Sequence, residues 1–162
     1  MKKSAKTIEP AAVAVAPALA TWRRLKGLAG ARWKRLQPEL MAALKKHWNQ
    51  QPLAEILLEE QEWDAASKVA DKQAHDYRLV AVVADGLIAQ RPEWVMRASR
   101  QQAEELIAKT SSKYYRYAAA WLGRVKAAYK QMECAAEWQS YLAKLKEEYR
   151  RRPALLAQLE RL

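Results

Sequence analysis

Apolar residues recur along most of this chain at steps of three and four, which places them on one face of a helix. The clearest run is Tyr114, Ala118, Trp121, Val125, Ala128 and Met132, and it predicts a long helix over residues 113–132. Thr110 or Ser111 stands where its N-cap is expected. Shorter runs predict helices over 19–28, from Pro38 to His47, from Pro52 through Leu53, Ile56 and Leu57, and from Trp63 through Val69 and Ala70. Another starts at Pro92 and carries Val95, Ala98, Gln102, Ala103 and Leu106 on one face. A helix over 137–149 follows, on Trp138, Leu142, Leu145 and Tyr149, with a short one around 155–162. The segment 77–88 is apolar nearly all round, so it is expected to be the most deeply buried helix. Pro38, Pro52 and Pro92 suit first-turn positions, and Gly27 and Gly30 suit a helix stop. No stretch alternates apolar and polar residues as a half-buried strand does.

Helices of this length with short connections fold back as antiparallel hairpins. One hairpin cannot cover its own apolar face, so neighbours stack. The expected fold class is therefore all-α, with hairpins stacked as a degenerate tetratricopeptide-like α-solenoid. Trp63-Asp64-Ala65-Ala66 and Glu137-Trp138 open similar units, but no strict period is present. An irregular helical bundle remains the alternative. Residues 1–18 read as a flexible, basic Ala/Pro leader and 19–162 as a single helical domain. Lys2 and Lys3 ahead of the apolar stretch 11–20 have the outline of a signal peptide. Lys6, Glu9, Pro10 and Pro17 interrupt that outline.

Composition sharpens this picture. The 162 residues are 51% hydrophobic, enough for a real core. Seven Trp and seven Tyr stand against no Phe. Rings with a polar handle suit partly wet seams between helices. A single cysteine, Cys134, excludes an internal disulfide and fits the reducing cytoplasm. No apolar run reaches the roughly 18 residues of a membrane span.

The residues give no catalytic, cofactor or metal site. His47, His75 and Cys134 lack the spacing of a tetrahedral zinc set. His47 lies at a helix end, where histidine meets the C-terminal dipole, and Cys134 starts a helix, where the dipole lowers a thiol pKa. Glu59, Glu60, Glu62 and Asp64 cluster around a turn and read as a solvated face. No nucleophile elbow and no Gly-rich phosphate loop is present. Three tyrosines in Lys113-Tyr114-Tyr115-Arg116-Tyr117 point round most of a helix, so at least one must face outward. Tyr115 and Tyr117 are the candidate protein contacts.

Charge is uneven. Residues 1–48 hold 11 Lys/Arg and 2 acids, 49–108 hold 6 and 11, and 109–162 hold 12 and 5. The basic ends offer Arg23, Arg24, Lys34, Arg35, Lys45, Lys46, Arg150, Arg151 and Arg152 as candidate polyanion contacts. The plain alternative is solvated helix faces, with the acidic middle neutralised by its neighbours.

Several short motifs recur in order: Leu25-Lys26-Gly27-Leu28-Ala29-Gly30, Pro38-Glu39-Leu40, Ile56-Leu57-Leu58 with Trp63-Asp64-Ala65-Ala66, Arg91-Pro92-Glu93-Trp94-Val95, Ala120-Trp121-Leu122 and Glu137-Trp138-Gln139-Ser140-Tyr141-Leu142. Together they resemble the C-terminal helical region of bacterial SWIM zinc-finger family proteins, over about residues 21–162. The family's Cys-x-Cys and Cys-x-His pairs are absent here. The resemblance therefore implies the helical scaffold and neither metal binding nor the finger's nucleic-acid role. The expected function is a cytoplasmic, non-enzymatic scaffold for a protein partner, with nucleic-acid association through the basic ends as the alternative.

Overall fold

A computed structural model describes residues 19–162, so the proposed leader and its signal-like outline lie outside the described residues. The described residues form α-helices and short 3-10 turns, with no strand among them. The hydrophobic pattern gives no reason to divide 19–162. The contacts nevertheless gather into two compact units, one ending at Gln73 and one running from Ala74 to Leu162.

The first unit opens with α1, Leu19–Ala29, which buries Trp22, Leu25 and Ala29 along one stripe. Gly30 takes a positive φ of 50°, where a side chain would be strained, and starts the 3-10 turn Gly30–Arg32. Helix α2, Trp33–Lys46, begins five residues before Pro38, which lies inside it rather than opening it. Trp33, packed edge-on against Trp22 at 4.8 Å, anchors that first turn, and the buried pair Leu40 and Leu44 anchors the turns after Pro38. Tertiary packing here overrides the proline signal.

Helices α3, Gln51–Glu59, and α4, Trp63–Lys72, pack on each other. Between them Gln61 adopts a φ of 61°, and the Glu62 N–H reaches back to the Leu57 carbonyl at 2.8 Å. This is the left-handed stop that closes a helix and turns the chain. Leu53, Ala54, Ile56 and Leu57 from α3 and Ala66 and Ala70 from α4 fill the core.

In the second unit, α5 is Tyr77–Leu87. The Asp76 carboxylate caps it, accepting from the Arg78 and Leu79 N–H groups at 3.1 and 3.2 Å. Leu79, Val80, Val83, Ala84 and Leu87 are buried, but Asp85 and Gly86 face water. The helix is thus one-faced rather than apolar all round.

Helices α6, Pro92–Ala108, and α7, Tyr115–Gln131, make the most extensive helix pairing. Thr110 and Ser111 do not cap α7. Thr110 takes a φ of 56°, and the 3-10 turn Ser112–Tyr114 leads into the helix. Of the expected stripe, Ala118, Trp121, Val125 and Ala128 are buried, widened by Tyr115, Leu122 and Tyr129, while Tyr114 and Met132 flank the helix and are half-buried. Glu133, with a φ of 60°, repeats the stop seen at Gln61: the Cys134 N–H reaches the Tyr129 carbonyl at 2.9 Å. Helices α8, Ala135–Glu148, and α9, Pro153–Leu159, complete the unit against α7. Arg152 Nη1 donates to the Ile107 carbonyl at 3.0 Å and so caps the end of α6.

Candidate interaction site

Tyr114, Tyr117, Ala120 and Trp121 face a groove of about 460 Å³ walled by α5, α6 and the start of α7. Its apolar lining comes from Ala81, Leu106, Ala120 and Trp121, with Tyr77, Tyr114 and Tyr117 along its length. Tyr77 is 57% and Tyr117 48% exposed, large areas for rings on rigid helices. Tyr115 is only 5% exposed and packs inward, so as a surface contact it is corrected. The seven-residue spacing of Tyr115, Leu122 and Tyr129 carries that inward face in the sequence.

Cations cover one face of several of these rings. Lys109 and Lys113 lie 4.8 and 4.9 Å from the Tyr114 ring centre, and Arg116 lies 4.6 Å from that of Tyr117. Arg124 sits 4.7 Å over Trp121 and is held there by a two-pronged ion pair to Asp85, at 2.7 and 3.0 Å. The groove therefore offers ring edges, aliphatic floor and oriented positive charge, with His75 and Glu105 at its margin. Such a lining suits an extended or helical segment that brings apolar groups together with acids.

The basic residues divide by partner. Arg23 is tied to Glu59 by two contacts of 2.8 Å, and the guanidinium holds that carboxyl below its usual range. Lys26 meets Glu60 at 2.8 and 3.0 Å, and the buried Trp22 indole N–H donates to the same carboxylate at 2.8 Å. Burial pushes the Glu60 carboxyl up, but Lys26 and Trp22 together outweigh it and leave it lowered. The acids of the middle segment are thus partly spent on α1. Arg150 pairs with Glu147 at 2.9 Å. Arg152 is half-buried, stacked 4.9 Å over Tyr149 and committed to the α6 cap. Arg24, Lys34, Arg35, Lys45 and Lys46 in the first unit, and Arg151 in the second, are exposed without an ion pair among the described residues.

His47 ends α2 and accepts from the Asn49 N–H at 3.2 Å through Nδ1. Cys134 does precede α8, yet burial and the Glu137 carboxylate push its thiol up, not down as the dipole argument expects. Among the described residues no three His, Cys, Asp or Glu side chains gather as a metal-binding group. None of the described helices is long and apolar enough to cross a membrane. On α6 and α8, Tyr141 donates to Glu104 at 3.2 Å under the Arg100 guanidinium, 4.3 Å from its ring centre. Burial, then the Glu104 charge, pushes that phenol well above its usual value.

Compared with known proteins, the chain matches no family model, no curated protein and no solved structure.

Proposed function

We propose that this chain is a non-enzymatic, cytoplasmic helical scaffold that binds a protein partner. Its hairpins would stack in a tetratricopeptide-like manner, as the resemblance to the SWIM-associated helical region implies. The observation that supports this reading is the groove of the second unit, where exposed Tyr77 and Tyr117 stand on fixed helices beside an apolar floor. Aromatic side chains that are already ordered lose little entropy on contact, which is why such rings dominate binding energy.

The test is a photo-crosslinking amino acid at position 117, introduced in the cells that make the protein. The reading expects a discrete protein adduct that weakens when Tyr77 or Leu106 is changed to Ala. Adducts removed by nuclease but not by protease would overturn it.

A second reading, nucleic-acid association, rests on the exposed Arg24, Lys34, Arg35, Lys45 and Lys46, which have no ion pair among the described residues. Titration against RNA and duplex DNA at two salt concentrations decides it. Electrostatic binding must weaken steeply with salt.

A further inference from the structure

Trp48 is the most exposed large apolar side chain among the described residues, at 86%. An indole in water on a loose loop would carry little meaning, but this one is on a braced turn. The Asn49 N–H donates to His47 Nδ1, the Asn49 side chain accepts from the Gln51 N–H at 3.0 Å, and Gln50 Nε2 donates to the His47 carbonyl. The His47 ring lies 5.7 Å from the indole and flanks it. The turn holds Trp48 at the mouth of a second groove, about 550 Å³, between the end of α2, α3 and α4.

The floor of that groove is aliphatic: Leu53 and Leu57 lie beneath, and Val69 is half-buried between them and water. Its rim carries Lys45, Lys68 and Lys72, all exposed and none ion-paired among the described residues. No carboxylate among the described residues lines it; Asp64 and Asp71 on α4 lie off the lining. Charge complementarity therefore selects the occupant. We propose that this groove is a docking site for a short acidic peptide, which seats an aliphatic side chain against Val69 under the Trp48 ring while its carboxylates meet the lysine rim. The site lies in the first unit and does not depend on the Tyr117 groove.

Fluorine NMR of the full chain labelled with fluorotryptophan tests this, with the Trp48 resonance assigned through Trp48→Phe. The probe is a capped peptide with Asp and Glu interspersed with Leu at helical spacing. Three controls accompany it: Ser in place of Leu, Lys in place of the acids, and a single-stranded oligonucleotide. A saturable shift of the Trp48 resonance with the acidic Leu peptide alone is the expected result. Lys68→Glu with Lys72→Glu should weaken it by about tenfold or more, while Lys34→Glu with Arg35→Glu leaves it unchanged. Circular dichroism confirms that each variant keeps its helices. No shift at saturating peptide overturns the proposal. An equal response to the Ser peptide or the oligonucleotide overturns it in favour of a general polyanion surface. A shift that follows protein concentration alone overturns it in favour of self-association.

Discussion

Glu59 and Glu60 are neighbours at the end of α3, both reach α1, and both make contacts of 2.8 Å to a cation. Their replacement should nevertheless have unequal consequences. The Arg23–Glu59 pair is 58% and 39% exposed, so water replaces most of what the pair supplies. Glu59→Ala is expected to leave stability within measurement scatter. Glu60 is 12% exposed and is the acceptor for the Trp22 indole N–H, on a side chain with no exposed surface. Glu60→Ala leaves that donor buried without a partner, at a cost of roughly 1–3 kcal/mol. Glu60→Gln keeps an acceptor oxygen in place and should recover most of the loss. Trp22→Phe removes the donor, so Glu60→Ala made on that background should cost clearly less than on the native one. Denaturant unfolding followed by circular dichroism measures all five variants, Trp22→Phe alone included, with the first unit's transition read separately if the units melt apart. The reasoning is refuted if Glu60→Ala is no more costly than Glu59→Ala, or if Gln is as damaging as Ala.

Three further expectations follow from the same geometry. Glu60 has a lowered carboxyl, so its contribution is complete above its ordinary value of 4.5 and is lost as pH falls through the lower folded value. Tyr141 is raised, so its contribution is complete below the ordinary 10 and is lost as pH climbs above it. Thermal melts across pH should show both edges, and Tyr141→Phe should remove the greater part of the alkaline one. Ser99 is fully buried and its hydroxyl has no hydrogen-bond partner among the described residues. Ser99→Ala should therefore raise stability by about 1 kcal/mol in denaturant melts; destabilisation would mean the hydroxyl is satisfied. At Glu133, whose φ is 60°, Gly is expected to be neutral or stabilising by up to about 1 kcal/mol. Val there should destabilise by about 1 kcal/mol or more, because a branched side chain clashes in that conformation. Equal melts for the two variants would contradict the turn geometry.

The helices were legible because burial repeats at their own period. The run from Ala118 to Ala128 marks α7 without any tertiary information. Pro38 misleads at α2 because the Trp22–Trp33 contact that extends the helix past it joins residues a turn and a helix apart. Tyr115 shows a different limit. Counting tyrosines says that one must be exposed, but only the second stripe through Leu122 and Tyr129 says which is not. Neutralisation of the acidic middle by its neighbours was legible as an alternative, but which charges pair was not. Arg23 and Glu59 lie 36 positions apart, and nothing local distinguishes Arg23 from its unpaired neighbour Arg24. Trp48 likewise stands in a Lys-Lys-His-Trp string that reads as an ordinary helix end. Its exposure depends on how the following turn is hydrogen-bonded.

The proline inside α2 has a consequence for motion. Pro38 has no N–H to give the Lys34 carbonyl, so the ladder of that helix lacks a rung at the point where Lys34 and Arg35 are carried. The turns before the gap are anchored by Trp33 on Trp22, and those after it by Leu40 and Leu44. The helix stays continuous through Pro38, but it is weakest at that missing hydrogen bond. Amides on the Trp33 side should open to solvent exchange independently of those around Leu44.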